Sequence, residues 1–174
     1  MSLTKNEQVL VLELSKYNVY KYTVTKFCKK LNINRGVFYR KYRNICDLFT
    51  SVLALQTRRA LRSIDGETMD RMFYRMLSKI KENKTFYINL NRIAQNPQEF
   101  YRVLRKEYAI AIEKYMRPRG SFSVRKVELV ANGIYAIVFN WVVDECQLDI
   151  RDVYQSIHLL LVHIEQSIKK AEWT

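Results

Sequence analysis

Apolar residues recur along this chain at helical spacing almost from end to end. The clearest early stripe is Val24, Phe27, Cys28 and Leu31, at i, i+3, i+4 and i+7, which is one face of a helix. Thr23 stands just ahead of it as an N-cap, and Tyr22 and Phe27 are spaced to close a hydrophobic staple over that cap. Asn32 follows Leu31 where a C′ residue in the left-handed region is expected, a conformation Asn tolerates better than any residue except Gly. Asn34 then caps a second short helix over residues 35–42, and Ile33 with Phe38 repeats the staple. Two short helices are thus joined by a tight turn.

The remaining pattern is helical as well. Residues 3–14 read as a first helix with a poorly defined face. Asn44 and Asp47 form a capping pair that opens a longer helix to about residue 62, its face marked by Ile45, Leu48, Phe49 and Val52. A break at 63–66 separates two modules, 1–62 and 63–174. Amphipathic segments follow at 67–82 and 85–93. Asn96, Pro97 and Glu99 then combine an N-cap, a proline at N1 and an acid at N3, and Pro118 with Gly120 stop that helix near Met116. Ser123 opens the next, whose wide apolar face is Val127, Val130, Ala131, Ile134, Tyr135, Val138, Trp141 and Val142. Asp149 and Asp152 cap the last, with Leu148 and Val153 as staple and Val153, Ile157, Leu160, Leu161, Ile164 and Ile168 as stripe. No segment alternates like a strand and no repeat is present, so the fold class is all-α with about nine helices.

Charge adds a polarity to this outline. Residues 1–62 hold thirteen Lys and Arg against three acids, about ten of the chain's net +13. Nine basic residues and no acid lie between Lys16 and Arg43. That asymmetry points to a polyanionic partner, nucleic acid or an anionic membrane surface, against the alternative of a solvated basic face. The three cysteines, Cys28, Cys46 and Cys146, include no CxxC pair. They read as reduced thiols, with Cys28 in a core and neither a disulfide framework nor a zinc knuckle expected. No uninterrupted apolar run reaches the ~18 residues that span a bilayer, and the N-terminal stretch is too short for a signal peptide. A cytoplasmic location with no membrane association is the expectation.

Two short helices with an apolar stripe on the first and cations crowded on the second are what a helix-turn-helix needs, the second lying in the major groove of double-stranded DNA. Arg35 is the one residue near the second helix's start with a fork for O6 and N7 of guanine. Lys41, Arg43 and the Tyr39 hydroxyl would face phosphates, as would Thr23, Thr25 and Lys26. Asn34, Gly36, Val37 and Arg40 complete the candidate DNA-binding set. Gly36 would let the backbone approach the duplex, or answers a packing need.

This run, Thr23 through Phe49 with its Gly36-Val37-Phe38-Tyr39-Arg40-Lys41-Tyr42 core and Asn44-Ile45-Cys46-Asp47-Leu48, resembles the DNA-binding motif of the TetR/AcrR transcription regulators. Asn32 replaces the glycine usual in the turn, and Ile45 replaces a usual phosphate-contacting lysine, leaving Arg43 to compensate. The resemblance implies an N-terminal three-helix DNA-binding module and a C-terminal helical domain for regulation and dimerisation. It also implies a homodimer on a palindromic operator, and repression relieved by a small molecule bound among the middle helices. Residues 132–145 and the last helix look like the family's paired dimerisation helices. Their faces are too wide for one small domain to cover, which makes Ile134, Val138, Trp141, Ile157, Leu160, Leu161 and Ile164 candidates for the dimer interface, with internal packing as the alternative. Phe73, Tyr74, Phe86, Tyr87, Tyr101 and Tyr108, with Phe100 near them, are candidates for an amphipathic ligand pocket, with ordinary core packing as the alternative. The short C-terminal part also resembles that of regulators of dihydroxyacetone-kinase operons, which implies a partner protein in place of the small effector and activation in place of repression.

Catalysis finds no purchase here. His158 and His163, the only histidines, are five apart and sit on different sides of a helix, unlike a zincin pair. No GxSxG, P-loop or dinucleotide fingerprint is present, and no metal or cofactor is expected. A membrane-surface protein would want exposed Trp, Phe or Leu opposite the charges, where this chain has a narrow helix-sized stripe.

Overall fold

The computed structural model describes residues 4–16, 18–62, 64, 66–94 and 97–169. Among them are nine α-helices and no strand: α1 (Lys5–Lys16), α2 (Val24–Leu31), α3 (Arg35–Tyr39), α4 (Ile45–Ala60), α5 (Met69–Glu82), α6 (Lys84–Ile93), α7 (Pro97–Met116), α8 (Val124–Val143) and α9 (Ile150–Lys169). A 3-10 turn, Arg117–Arg119, ends α7 at Pro118. The expected N-cap at Asn96, and Ser63 of the expected break, lie outside the described residues.

Local chemistry sets the helix ends. Asn44 Oδ1 accepts from the Asp47 N–H at 2.9 Å, and Asp47 reaches back one residue beyond the cap to the Arg43 N–H at 3.0 Å. The first helix starts later than residue 3 because Thr4 and Glu7 form a reciprocal capping box, Thr4 N–H to Glu7 Oε2 at 2.8 Å and Glu7 N–H to Thr4 Oγ1 at 3.4 Å. That Thr-x-x-Glu signal stood in the sequence unread. At the far end, Asp149 Oδ1 accepts from the Arg151 N–H at 2.8 Å.

Two cores result. The first gathers Leu10, Leu14, Tyr22, Phe27, Phe38, Tyr42, Leu48, Phe49 and Val52, and it is completed by Phe86, Leu90 and Ile93 of α6 and Phe100 of α7. The second packs α5 and α7–α9 around Met72, Phe73, Leu77, Ile112, Ile134, Trp141, Ile157 and Leu161. The first 62 residues therefore do not close their own core. Asn89, fully buried on α6, pins the joint: its Oδ1 accepts from the Val19 N–H at 2.9 Å and its Nδ2 donates to the Leu14 carbonyl at 2.8 Å.

Several expected site residues belong to these cores instead. Ile134, Val138, Trp141, Ile157, Leu161 and Ile164 keep at most 4% of their surface exposed, so they have nothing left to offer a second chain. Leu160 is half-buried against Gly133, where α9 packs on α8. Phe73, Phe86 and Tyr108 are likewise filled core. Tyr74 lies on the surface in edge contact with Tyr154, and Tyr101 lies there too, donating its hydroxyl to Asn132 at 3.1 Å. Helix α8 is itself long and apolar enough to cross a membrane, with a mean hydropathy of 1.3 over its best window, which a search for unbroken apolar runs overlooked. Its Val127, Val130, Ala131, Ile134 and Val138 are spent in the second core.

Candidate nucleic-acid interface

Helices α2 and α3 are held at a fixed angle by their turn. Asn32 sits in the left-handed region (φ 52°, ψ 46°). The Ile33 N–H reaches the Cys28 carbonyl at 3.0 Å and the Asn32 N–H the Lys29 carbonyl at 3.3 Å, the paired bonds of a Schellman closure with Asn in the glycine position. Thr23 Oγ1 caps α2 by accepting from the Lys26 N–H at 3.2 Å, and Asn34 Oδ1 caps α3 by accepting from the Val37 N–H at 2.9 Å. Beneath the turn, Phe27 and Phe38 meet edge-on with centroids 5.8 Å apart, and Phe38 contacts Tyr42 at 5.4 Å.

The regular part of α3 is shorter than the expected 35–42. Hydrogen bonds from the Arg40 N–H to Gly36 and from the Tyr42 N–H to Phe38 carry the coil on for one more turn. Arg35, Gly36, Tyr39 and Arg40 fall on one exposed arc of α3, away from buried Phe38. Arg35 Nη2 donates to Thr25 Oγ1 at 2.5 Å, which joins the start of α3 to the start of α2. Lys26 stands over the Tyr22 ring at 5.2 Å. Gly36 has a packing reason: a Cβ there would lie 3.2 Å from the Asn34 oxygen that caps the helix. Val37 is half-buried, and Arg43 is exposed with Asp47 3.7 Å away.

Lys41 departs from its expected role. Its ammonium lies 3.1 Å from Glu7 Oε1, and the Tyr42 hydroxyl donates to the same oxygen at 2.9 Å. Burial alone would push the Glu7 carboxyl up. The Thr4 N–H, Lys41, Tyr42 and the Thr4 hydroxyl outweigh that and hold it below its ordinary value. A buried carboxylate needs such partners, so Lys41 fastens the end of the α3 coil to α1. The sequence pattern, which is local, carries no trace of this contact. The other two acids of the first 62 residues are also matched, Glu13 with Lys30 at 3.1 Å and Asp47 with Arg43. No carboxylate among the described residues of α2 and α3 opposes the exposed cations.

The aromatics expected to line one ligand pocket are not gathered in one cavity: Phe86 and Tyr87 border a cavity of about 180 Å³ beside α4, Tyr74 an open surface groove, and only Tyr87 and Tyr108 meet in the interior. Tyr87, Phe100, Tyr108 and Tyr135 line a cavity of about 50 Å³ between α4 and α6–α8, against the ~300–1,000 Å³ of ordinary small-molecule sites. Burial pushes the Tyr87 and Tyr108 hydroxyls well above their usual range.

The arrangement is an all-α fold, with a helix-turn-helix at one end and a helical bundle at the other. Among solved structures, the dihydroxyacetone kinase operon activator DhaS is similar to it with a TM-score of 0.65 and 15% identity, over 94% of this chain and 98% of that one. At that identity the likeness is one of fold. No family profile and no curated protein matches the sequence.

Proposed function

We propose that this chain is a sequence-specific DNA-binding transcription regulator of the TetR type, acting in the cytoplasm as a homodimer on a palindromic operator. The observation that carries this is the rigid α2–α3 turn, which presents Arg35, Thr25, Tyr39 and Arg40 on one acid-free exposed surface. Arg35 reads a guanine edge in the major groove. Thr23, Thr25, Lys26, Tyr39, Arg40 and Arg43 contact phosphates, while Asn34, Gly36 and Val37 shape the helix start. Lys41, exposed and paired with Glu7, braces the end of α3 against α1.

The dimer face we propose is the outward stripe of α8 and α9. Leu129, Ala136, Asn140 and Val143 recur at helical spacing on α8, and Asp152, Ser156, Leu159 and His163 on α9, all exposed. Leu129 and Leu159 are 62% and 68% exposed, and Asn140, Val143, Asp152 and Ser156 line one shared groove. Pairing two such faces makes a four-helix bundle and sets two recognition helices about 34 Å apart, one turn of duplex.

Repression relieved by an effector is the first reading of its sense. Activation is the second, favoured by the name of DhaS and by the tightness of the interior cavity.

Selection of bound fragments from random DNA followed by mobility shifts tests this. A palindrome should emerge, Arg35→Ala should cost about 1–3 kcal/mol at one base position, and Leu159→Glu should give monomers that bind half-sites weakly. Equal affinity of the wild type for selected and random DNA would defeat the proposal.

A further inference from the structure

A groove of about 590 Å³ runs between the C-terminal halves of α4 and α7, with Met72 of α5 at its base. Its volume is that of an ordinary ligand site. Arg58 is bound to Glu107 through Nε at 2.9 Å and Nη2 at 2.5 Å, and Arg62, just past the end of α4, and Lys114, about two turns beyond Glu107 on α7, line the same groove. The floor is apolar: Leu55, Leu61, Met72 and Ile110, the last 46% exposed. The rim is cationic, and the one carboxylate lining it, Glu107, is buried and already matched by Arg58. Tyr115 closes one side, its ring covered by Arg119 at 3.6 Å.

These cations do not serve the DNA surface. Arg58 and Arg59 stand near the end of α4, roughly 20 Å from its start beside the recognition helix, and Arg62 lies just past that end. Cations over an apolar trough select a molecule with an anionic head and an apolar body, because each half meets its complement and neither a neutral chain nor a bare anion satisfies both. We infer that the α4–α7 groove is a binding site for an anionic amphiphile, a carboxylate or phosphate head on an apolar chain, with the head held by Arg62 and Lys114 and the chain lying on Ile110 and Met72. The inference extends the regulator reading by giving its effector a place outside the filled interior.

Calorimetric titration of the full chain without DNA tests it, using decanoate, decyl phosphate, decanol and decyltrimethylammonium. Both anions should bind, with their ratio showing which head is preferred, and decanol should bind at least about tenfold more weakly. The Arg62→Ala/Lys114→Ala double variant should lose about tenfold or more in decanoate affinity. Ile110→Glu should abolish binding while its melting curve stays that of a folded protein, since the site is half exposed. Equal binding of decanol and decanoate, an unaffected double variant, or no anion binding at millimolar concentration would overturn the site. Decanoate binding together with random-DNA affinity equal to operator affinity would leave the groove standing and remove the regulator reading.

Discussion

The head formed by α1–α3 with the start of α4, and the bundle formed by α5 and α7–α9, are held together by different means. In the head, helices of 5 to 12 residues expose a large share of their backbone groups at their ends. A side chain caps the start of each: Thr4, Thr23, Asn34 and Asn44 accept from a first-turn N–H, Asn32 closes the turn, and buried rings fill the space between. In the bundle, helices α7, α8 and α9 are each 20 residues long. Thr68 and Asp149 cap α5 and α9, but Ser123 ahead of α8 makes no capping bond, and aliphatic and methionine packing does most of the holding. Short helices need specific polar chemistry at fixed positions. Long ones need only a consistent face.

Helix α6 and Asn89 link the two regions, which sets the largest expected effects. Phe38→Ala in the head and Ile134→Ala in the bundle should each cost about 3–4 kcal/mol. Because Phe86 and Leu90 of α6 sit in the head core, while Tyr87 between them packs against both cores, both variants should keep a single urea transition by circular dichroism. Two transitions in Phe38→Ala would show that the head unfolds alone and that the boundary near residue 65 is a true one.

The next effect separates the regions by pH. Glu7→Gln should lower stability by about 1–2 kcal/mol at neutral pH, through loss of the charged partner of Lys41 and Tyr42. The native carboxyl is held below its ordinary value, so its contribution is present above that value and is lost as pH falls through the lowered one. The gap between wild type and Glu7→Gln should therefore close on acidification, whereas the Ile134→Ala gap should not. A Glu7→Gln gap constant from about pH 7 to pH 3 would mean the native carboxyl is not held below its ordinary value.

What could be read from sequence follows the same division. The head's caps, turn and staples are written in neighbouring residues, so Thr23, Asn32, Asn34 and Asn44 were all legible. The contacts that join distant segments were not: Glu7 with Lys41, and Asn89 with Leu14 and Val19. In the bundle, helix spans were legible from periodicity. The choice between inner and outer stripes was not, because the more apolar stripe of α8 and α9 draws attention as an interface when it is the chain's own core. Leu129 and Leu159 interrupt a more polar face and give a weaker signal. The aromatics of α5–α7 misled for a related reason, since a ring at helical spacing looks alike in a core and beside a cavity.

The smallest effect tests that inner and outer division at one atom. Gly133 lies where α8 meets α9, and a Cβ there would come within 2.8 Å of Leu160 Cδ1. Alanine in mid-helix gains about 1 kcal/mol over glycine in backbone terms. Against this stands the displacement of Leu160, whose methyl is the far end of a flexible, half-buried side chain. If Leu160 is bounded only by its own chain, it turns aside at a cost similar to that gain, and Gly133→Ala should change stability by less than about 0.5 kcal/mol. If a second copy covers the α8–α9 face, Leu160 loses that freedom, and the penalty should appear only at protein concentrations where the dimer forms. Melting Gly133→Ala and wild type across a hundredfold dilution, ~100 μM to ~1 μM, reads the difference directly: a gap that widens with concentration places Leu160 at the dimer contact, and a gap that does not keeps it inside the protomer.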